Sequence, residues 1–124
     1  MNQALNELQH EKSFVAGCVS DVSDFDSIKK LSDFAISEFK NGTGRGEIDI
    51  WINNAGRSQT NLGPLKNVEP DEIVSVINTN LIGSLYCTKV SINVMEAQEH
   101  GGHIFLMDGA GSNGMVSIIK NPYI

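Results

Sequence analysis

Asn53, Asn54, Ala55 and Gly56 close a short apolar run, Ile48-Asp49-Ile50-Trp51-Ile52. Two carboxamides offer hydrogen-bond donors and acceptors, and the two small residues after them let backbone or a ligand approach closely. Two further stretches end in the same style. Ser13-Phe14-Val15-Ala16-Gly17-Cys18-Val19 runs into Ser20-Asp21, and His103-Ile104-Phe105-Leu106-Met107 runs into Asp108-Gly109-Ala110-Gly111-Ser112. If the three runs are parallel strands, their ends share one rim of acid, amide, hydroxyl and bare backbone. That chemistry suits a ligand with a ribose or a purine, bound beyond the carboxyl ends of the strands.

Two glycine-rich stretches compete for a phosphate-cradling role. Asn41-Gly42-Thr43-Gly44-Arg45-Gly46 has a helix before it and a strand after it, the reverse of the dinucleotide order, and reads as a helix cap and connector. Gly109 to Gly114 matches G-x-G-x-x-G after a strand. The segment that follows, Met115 to Pro122, is a poor amphipathic helix, and no acidic residue stands about 20 positions on. The three histidines, His10, His100 and His103, lie at surface, helix-end and strand-start positions with no nucleophile at a recognisable spacing.

The positioning elements follow from periodicity. Met1 to Lys12 reads as a short helix with Ala4, Leu5 and Leu8 on one side. Ser23 with Asp26 three residues on resembles a capping box, opening a helix from about Asp24 to Lys40 whose apolar positions Phe25, Ile28, Leu31, Phe34, Ala35 and Phe39 keep close to a 3.6 period. A loop with a Gly63-Pro64 turn spans Arg57 to Asn67. Pro70, Asp71 and Glu72 suit the start of a helix running to about Glu99, apolar on more than one face. Gly83 in its middle implies close packing or is incidental. The resulting α-β-α-β-α-β order predicts a parallel sheet with helices on both faces, and three strands make a small sheet with two open edges.

Bulk properties exclude several classes. The chain has 124 residues, 40% hydrophobic and 19% charged, with a formal net charge of −6. The charge argues against a nucleic-acid footprint. Cys18 and Cys87 lie far apart in apolar segments and read as reduced core residues, and two cysteines alone do not make a zinc site. The N-terminal residues lack the features of a secretion signal or a transit peptide.

The arrangement resembles the short-chain dehydrogenase/reductase family, through Asn53-Asn54-Ala55-Gly56 and its flanks, over nearly all of the chain up to about Gly114. It is most similar to the plant and algal chlorophyll b reductases, through Ile48 to Gly56, Gly101-Gly102-His103-Ile104-Phe105, and Met107-Asp108-Gly109-Ala110-Gly111-Ser112. The resemblance implies a partial Rossmann-type α/β fold, a doubly wound parallel sheet in three α/β/α layers, and NADP or NAD as cofactor. It implies that Asp21 hydrogen-bonds adenine, that Asn54, Ala55 and Gly56 line the adenosine ribose and buttress the sheet, and that Asn80 is the helix asparagine of the catalytic tetrad, holding a water for the proton relay. The implied substrate is a small-molecule carbonyl, the formyl group of chlorophyll b or chlorophyllide b, and the implied compartment is the chloroplast. The helix bearing Asn80 is implied to pair with its copy, or a relative's, in an oligomer.

The chain departs from that family at both ends. The Gly-rich T-G-x-x-x-G-x-G turn has no counterpart, and neither does the strand end that selects NAD or NADP, so residues 1–124 are expected to form an incomplete domain. Of the family's Ser, Tyr-x-x-x-Lys set, Gly109 stands where Ser is common and Ser112 is the residue to take that role. Tyr123 falls at about the right distance after Ser112, in a context unlike the family's and with no Lys four residues on; it is either the catalytic acid or a tail tyrosine. Weak or no catalysis is therefore expected of this chain. A reductase for another carbonyl, and a non-catalytic partner of a full-length relative, remain open at this point.

Overall fold

A computed structural model describes residues 14–60 and 64–107. The expected helix over Met1–Lys12, Gly63 of the expected turn, the Asp108–Gly114 exit, and Ser112 and Tyr123 lie outside the described residues. Helix α1 spans Phe25–Thr43, strand β1 Ile50–Asn53, and a 3-10 turn Leu65–Asn67. Helix α2 spans Pro70–Ile77, a π-helical turn Asn78–Gly83, helix α3 Ser84–Glu96 and strand β2 His103–Leu106.

Helix α1 starts one residue later than the capping-box reading has it. Asp24, not Ser23, is the N-cap, and its carboxylate accepts the amide of Asp26. Ser23 is drawn away because its amide and hydroxyl both donate to the Asp21 carboxylate, at 2.9 and 2.8 Å. The helix ends at Gly44, whose φ of 79° is a left-handed conformation that only glycine adopts without strain, and whose amide donates to the Lys40 carbonyl. The glycine-rich connector is thus a helix cap, as its order predicts.

Strands β1 and β2 are parallel neighbours, with Ile50 opposite His103 and Asn53 opposite Leu106. Two amide side chains bracket β1. Gln98, just after α3, accepts from the Ile48 amide at 2.7 Å and donates to the Ile48 carbonyl at 3.2 Å. Asn80 does the same to Arg57 beyond the other end. The core lies between β1, α1 and α3: Ile28, Cys87 and Val90 are buried, with Phe25, Trp51, Tyr86 and Val94 packed around them. Phe25 and Tyr86 meet edge-on at 5.2 Å between ring centres.

Three expectations need correction. First, the Phe14–Val19 segment joins no strand ladder among the described residues; Val19 is 87% exposed and the Phe14 ring rests against Gly42 instead. In a doubly wound sheet ordered 3-2-1-4-5-6, a third strand is separated from the fourth by two others, whereas fourth and fifth are adjacent. β1 and β2 pair as fourth and fifth would, and the earlier segment has no bonded neighbour among the described residues. Second, the long helix from Pro70 is three pieces ending at Glu96, because the backbone widens to a π-turn at Asn78–Gly83. Third, Cys87 is buried as expected, but Cys18 is exposed, since its segment is not covered as a core strand would be; both are free thiols. Burial pushes the Cys87 thiol pKa up.

Candidate functional site

The β1 carboxyl end and the π-turn meet at a cavity of about 500 Å3 lined by Asn54, Ala55, Gly56, Arg57, Ser58, Asn80, Ser84 and Met107. Its size lies within the range usual for small-molecule sites. β1 delivers Asn54, Ala55 and Gly56 to the rim, all exposed. Asn53, expected at the edge beside Asn54, is instead a buried strand residue whose amide accepts the Trp51 indole N–H at 2.8 Å. A β-carbon placed on Gly56 would meet only Asn80 Oδ1, at 3.7 Å, an ordinary contact. The open space at Gly56 is therefore not filled by the described protein, which is what a ligand-facing glycine needs.

Asn80 sits inside the π-turn, the kind of local widening that marks functional positions in helices. Its side chain is held on both sides: Oδ1 accepts the Arg57 amide at 2.8 Å, and Nδ2 donates to the Arg57 carbonyl at 2.8 Å. The turn exits tightly at Gly83, where a β-carbon would come within 2.9 Å of Val22 Cγ2 and 3.1 Å of the Val22 carbonyl. Gly83 thus packs closely, and through Val22 it brings the Asp21 segment against the end of the π-turn.

Two links from α2 hold the loop after Gly56. The Arg57 guanidinium donates to Ser75 Oγ at 2.6 Å, and the Thr60 amide donates to the Glu72 carboxylate. That amide, the Thr60 side chain and the nearby Arg57 charge hold the Glu72 carboxyl below its ordinary pKa. Asp21 is likewise held low, chiefly by the Ser23 hydroxyl and then by the Ser23 amide. Asp21 is exposed and Glu72 half-buried, and both are ionised at neutral pH.

Of the expected site residues, the structure gathers Asn54, Ala55, Gly56 and Asn80 around one cavity and sets Asp21 one residue from Val22, which packs on Gly83. Ser112 and Tyr123 lie outside the described residues. Sequence reading missed Arg57, Ser58, Ser84 and Met107 as lining residues. Ser84 stands four positions after Asn80, a helical neighbour, which was the available signal; for Arg57, Ser58 and Met107 there was none beyond adjacency to the strand ends.

Comparison with known proteins places the chain in a family. The short chain dehydrogenase family model matches residues 1–120. The chain belongs to the short-chain dehydrogenase family. It is 49% identical over 118 residues to the probable chloroplastic chlorophyll(ide) b reductase NYC1 of Oryza sativa subsp. japonica, covering 94% of this chain and 21% of that one. It is 40% identical over 116 residues to the chloroplastic chlorophyll(ide) b reductase NOL of the same organism, covering 92% and 32%. Among solved structures it is similar to an ElxO variant with NADPH bound, with a TM-score of 0.53 and 28% identity over 69% of this chain and 32% of that one. The chain therefore spans about a fifth to a third of the length of these relatives. Its fold is the family's Rossmann-type α/β fold, of which the described residues carry two parallel strands and the helices between them.

Proposed function

We propose that this chain contributes the central part of an NADPH- or NADH-dependent carbonyl reductase that converts the formyl group of chlorophyll b or chlorophyllide b to a hydroxymethyl group, in the chloroplast. The observation that carries the reading is the 49% identity to a chlorophyll(ide) b reductase over 94% of the chain. The cavity supports it. Amides, hydroxyls and small residues at a strand's carboxyl end fit the ribose hydroxyls of a nicotinamide dinucleotide. Bound NAD(P)H would supply a hydride to the formyl carbon, and the oxygen would gain a proton.

In this reading Asn54, Ala55 and Gly56 line the adenosine ribose. Asp21 accepts a hydrogen bond from adenine, and its carboxylate has acceptor sites beyond the two that Ser23 uses. Asn80 holds the relay water, its side chain being occupied by Arg57 and its position in the π-turn fixed by that pairing. Ser112 orients the carbonyl, and Tyr123 is the candidate acid. The Gly-rich strand–turn–helix and the Tyr-x-x-x-Lys region would complete the domain.

A pairing role has its own support. Val74, Ile77, Leu81, Leu85 and Ile92 stand 56, 47, 53, 58 and 41% exposed along one side of the α2–π–α3 segment. An apolar stripe of that length on a helix points to a second helix packed on it, in a homo-oligomer or with a full-length relative.

The test is an assay with NADPH and with NADH against chlorophyllide b, a steroid ketone and an acyl ketone. The chain by itself is expected to show turnover at or near background; when co-expressed with segments supplying the Gly-rich turn and Tyr-x-x-x-Lys, it is expected to form the hydroxymethyl product from chlorophyllide b. Reduction of only the other carbonyls by that complete form would give the general-reductase reading, and rapid turnover by the chain alone would sink the expectation of weak catalysis.

A further inference from the structure

A line of side-chain hydroxyls runs along α3 from the π-turn toward the core. Ser84 Oγ donates to the Asn80 carbonyl at 2.7 Å, Thr88 Oγ1 to the Ser84 carbonyl at 2.7 Å, and Ser91 Oγ to the Thr88 carbonyl at 2.9 Å. Hydroxyls that bond back to the preceding turn compete with the helix ladder and bend it. At the Asn80 end the hydroxyl serves a clear purpose. The Ser84 amide goes to the Leu81 carbonyl, three residues back, so the hydroxyl of Ser84 supplies a donor that its amide does not give to Asn80.

At the other end the line meets β1. The indole N–H of Trp51 can only donate, so the Asn53 atom 2.8 Å from it must be the carboxamide oxygen. Asn53 Nδ2 then faces Thr88 Oγ1, at 3.4 Å. Thr88 must accept there, because its single proton goes to the Ser84 carbonyl. The donor-only Trp51 ring fixes the Asn53 amide and the acceptor-only Ser84 carbonyl fixes the Thr88 hydroxyl, so the two ends together set every direction between them. Asn53 is 9% exposed and Thr88 half-buried, so water offers Asn53 little alternative.

We propose that Thr88 and Ser84 are positioning residues for Asn80. Through Trp51 and Asn53 the strand sets the rotation of α3 about its axis. Ser84 passes that setting to the Asn80 carbonyl, and Asn80 passes it to the Arg57 loop on the cavity rim. The functional weight of this line rests on the reading of Asn80 as a relay residue, but its geometry does not.

The test uses the 15N-labelled chain and three resonances: the Trp51 indole N–H, the Asn80 side-chain amide and the Arg57 backbone amide. Thr88→Val keeps the shape and removes the hydroxyl. It is expected to shift all three resonances and to strip the Arg57 amide of protection from hydrogen exchange, and Thr88→Ser is expected to restore them. Ser84→Ala is expected to shift Asn80 and Arg57 while leaving the Trp51 indole in place. The proposal is overturned if Thr88→Val moves Trp51 alone, or if Ser84→Ala leaves Asn80 and Arg57 unmoved. Ser84→Ala carries the decision if Thr88→Val does not fold. Because no turnover is read, an inactive chain leaves this result intact.

Discussion

On one face of the sheet Trp51 and Asn53 pack beneath α1 and α3; on the other, Ile50 and Ile52 stand 59 and 58% exposed beside Phe105 at 50%. Alternate residues of the same two strands thus meet opposite surroundings. Both faces are apolar in composition, the pattern of a strand covered on both sides. The described residues cover one of them, with helices that lie next to the strands in sequence. Burial on the covered face comes from the crossovers themselves, whereas the other face depends on elements that no local crossover supplies. The exposed side is also where association begins, since an apolar strand with an open edge is a template for another chain.

Substitutions can break or sharpen this contrast. Ile28 is fully buried between α1 and the core of the covered face, and Ile28→Ala should cost about 2–5 kcal/mol in urea unfolding followed by Trp51 fluorescence. Gly83→Ala should cost about 1–3 kcal/mol in the same experiment, because its β-carbon would press on Val22 unless that segment shifts. On the bare face, Ile52→Thr should change stability by no more than about 0.5 kcal/mol, while concentration-dependent light scattering falls. A large loss of stability there would mean that the two faces are not so unlike.

The smallest effect belongs to a region on neither face. Glu72 has a folded pKa below its ordinary value of 4.5, so its contribution is present above that value and fades as the pH falls through the lower, folded one. The Thr60 amide resonance should follow that titration, and Glu72→Gln should abolish the dependence. Glu72 is only partly covered from solvent, so global stability should barely register the change.

Much of this was legible in the chain. The period of Phe25, Ile28 and Leu31, the Gly44 cap, Pro70 with Asp71 and Glu72, and both strands follow local rules that the fold obeys. Asn54, Ala55, Gly56 and Asn80 were expected from family resemblance and meet at one cavity. What escaped depended on partners. Phe14 to Val19 has a strand's composition, but a strand exists only where a neighbour bonds it. Ser23 and Asp24 are both good caps, and Asp21, two residues back, decided between them by taking the Ser23 donors. The contact of Thr88 with Asn53 was invisible because a hydroxyl on a helix looks the same whether it faces water or an adjacent strand.

The π-turn has a geometric consequence for the whole segment from Pro70 to Glu96. Each residue of an α-helix advances about 100° around the axis. A turn that closes over five residues instead of four inserts one extra step, so the residue count runs out of helical phase between α2 and α3. Cys87 and Val90 face the core in that shifted phase. Straightening Asn78–Gly83 into α-helix with every residue kept would therefore act like turning a key by about a quarter and swing the buried stripe of α3 out of its lock, whereas removing one residue there would leave that stripe in place.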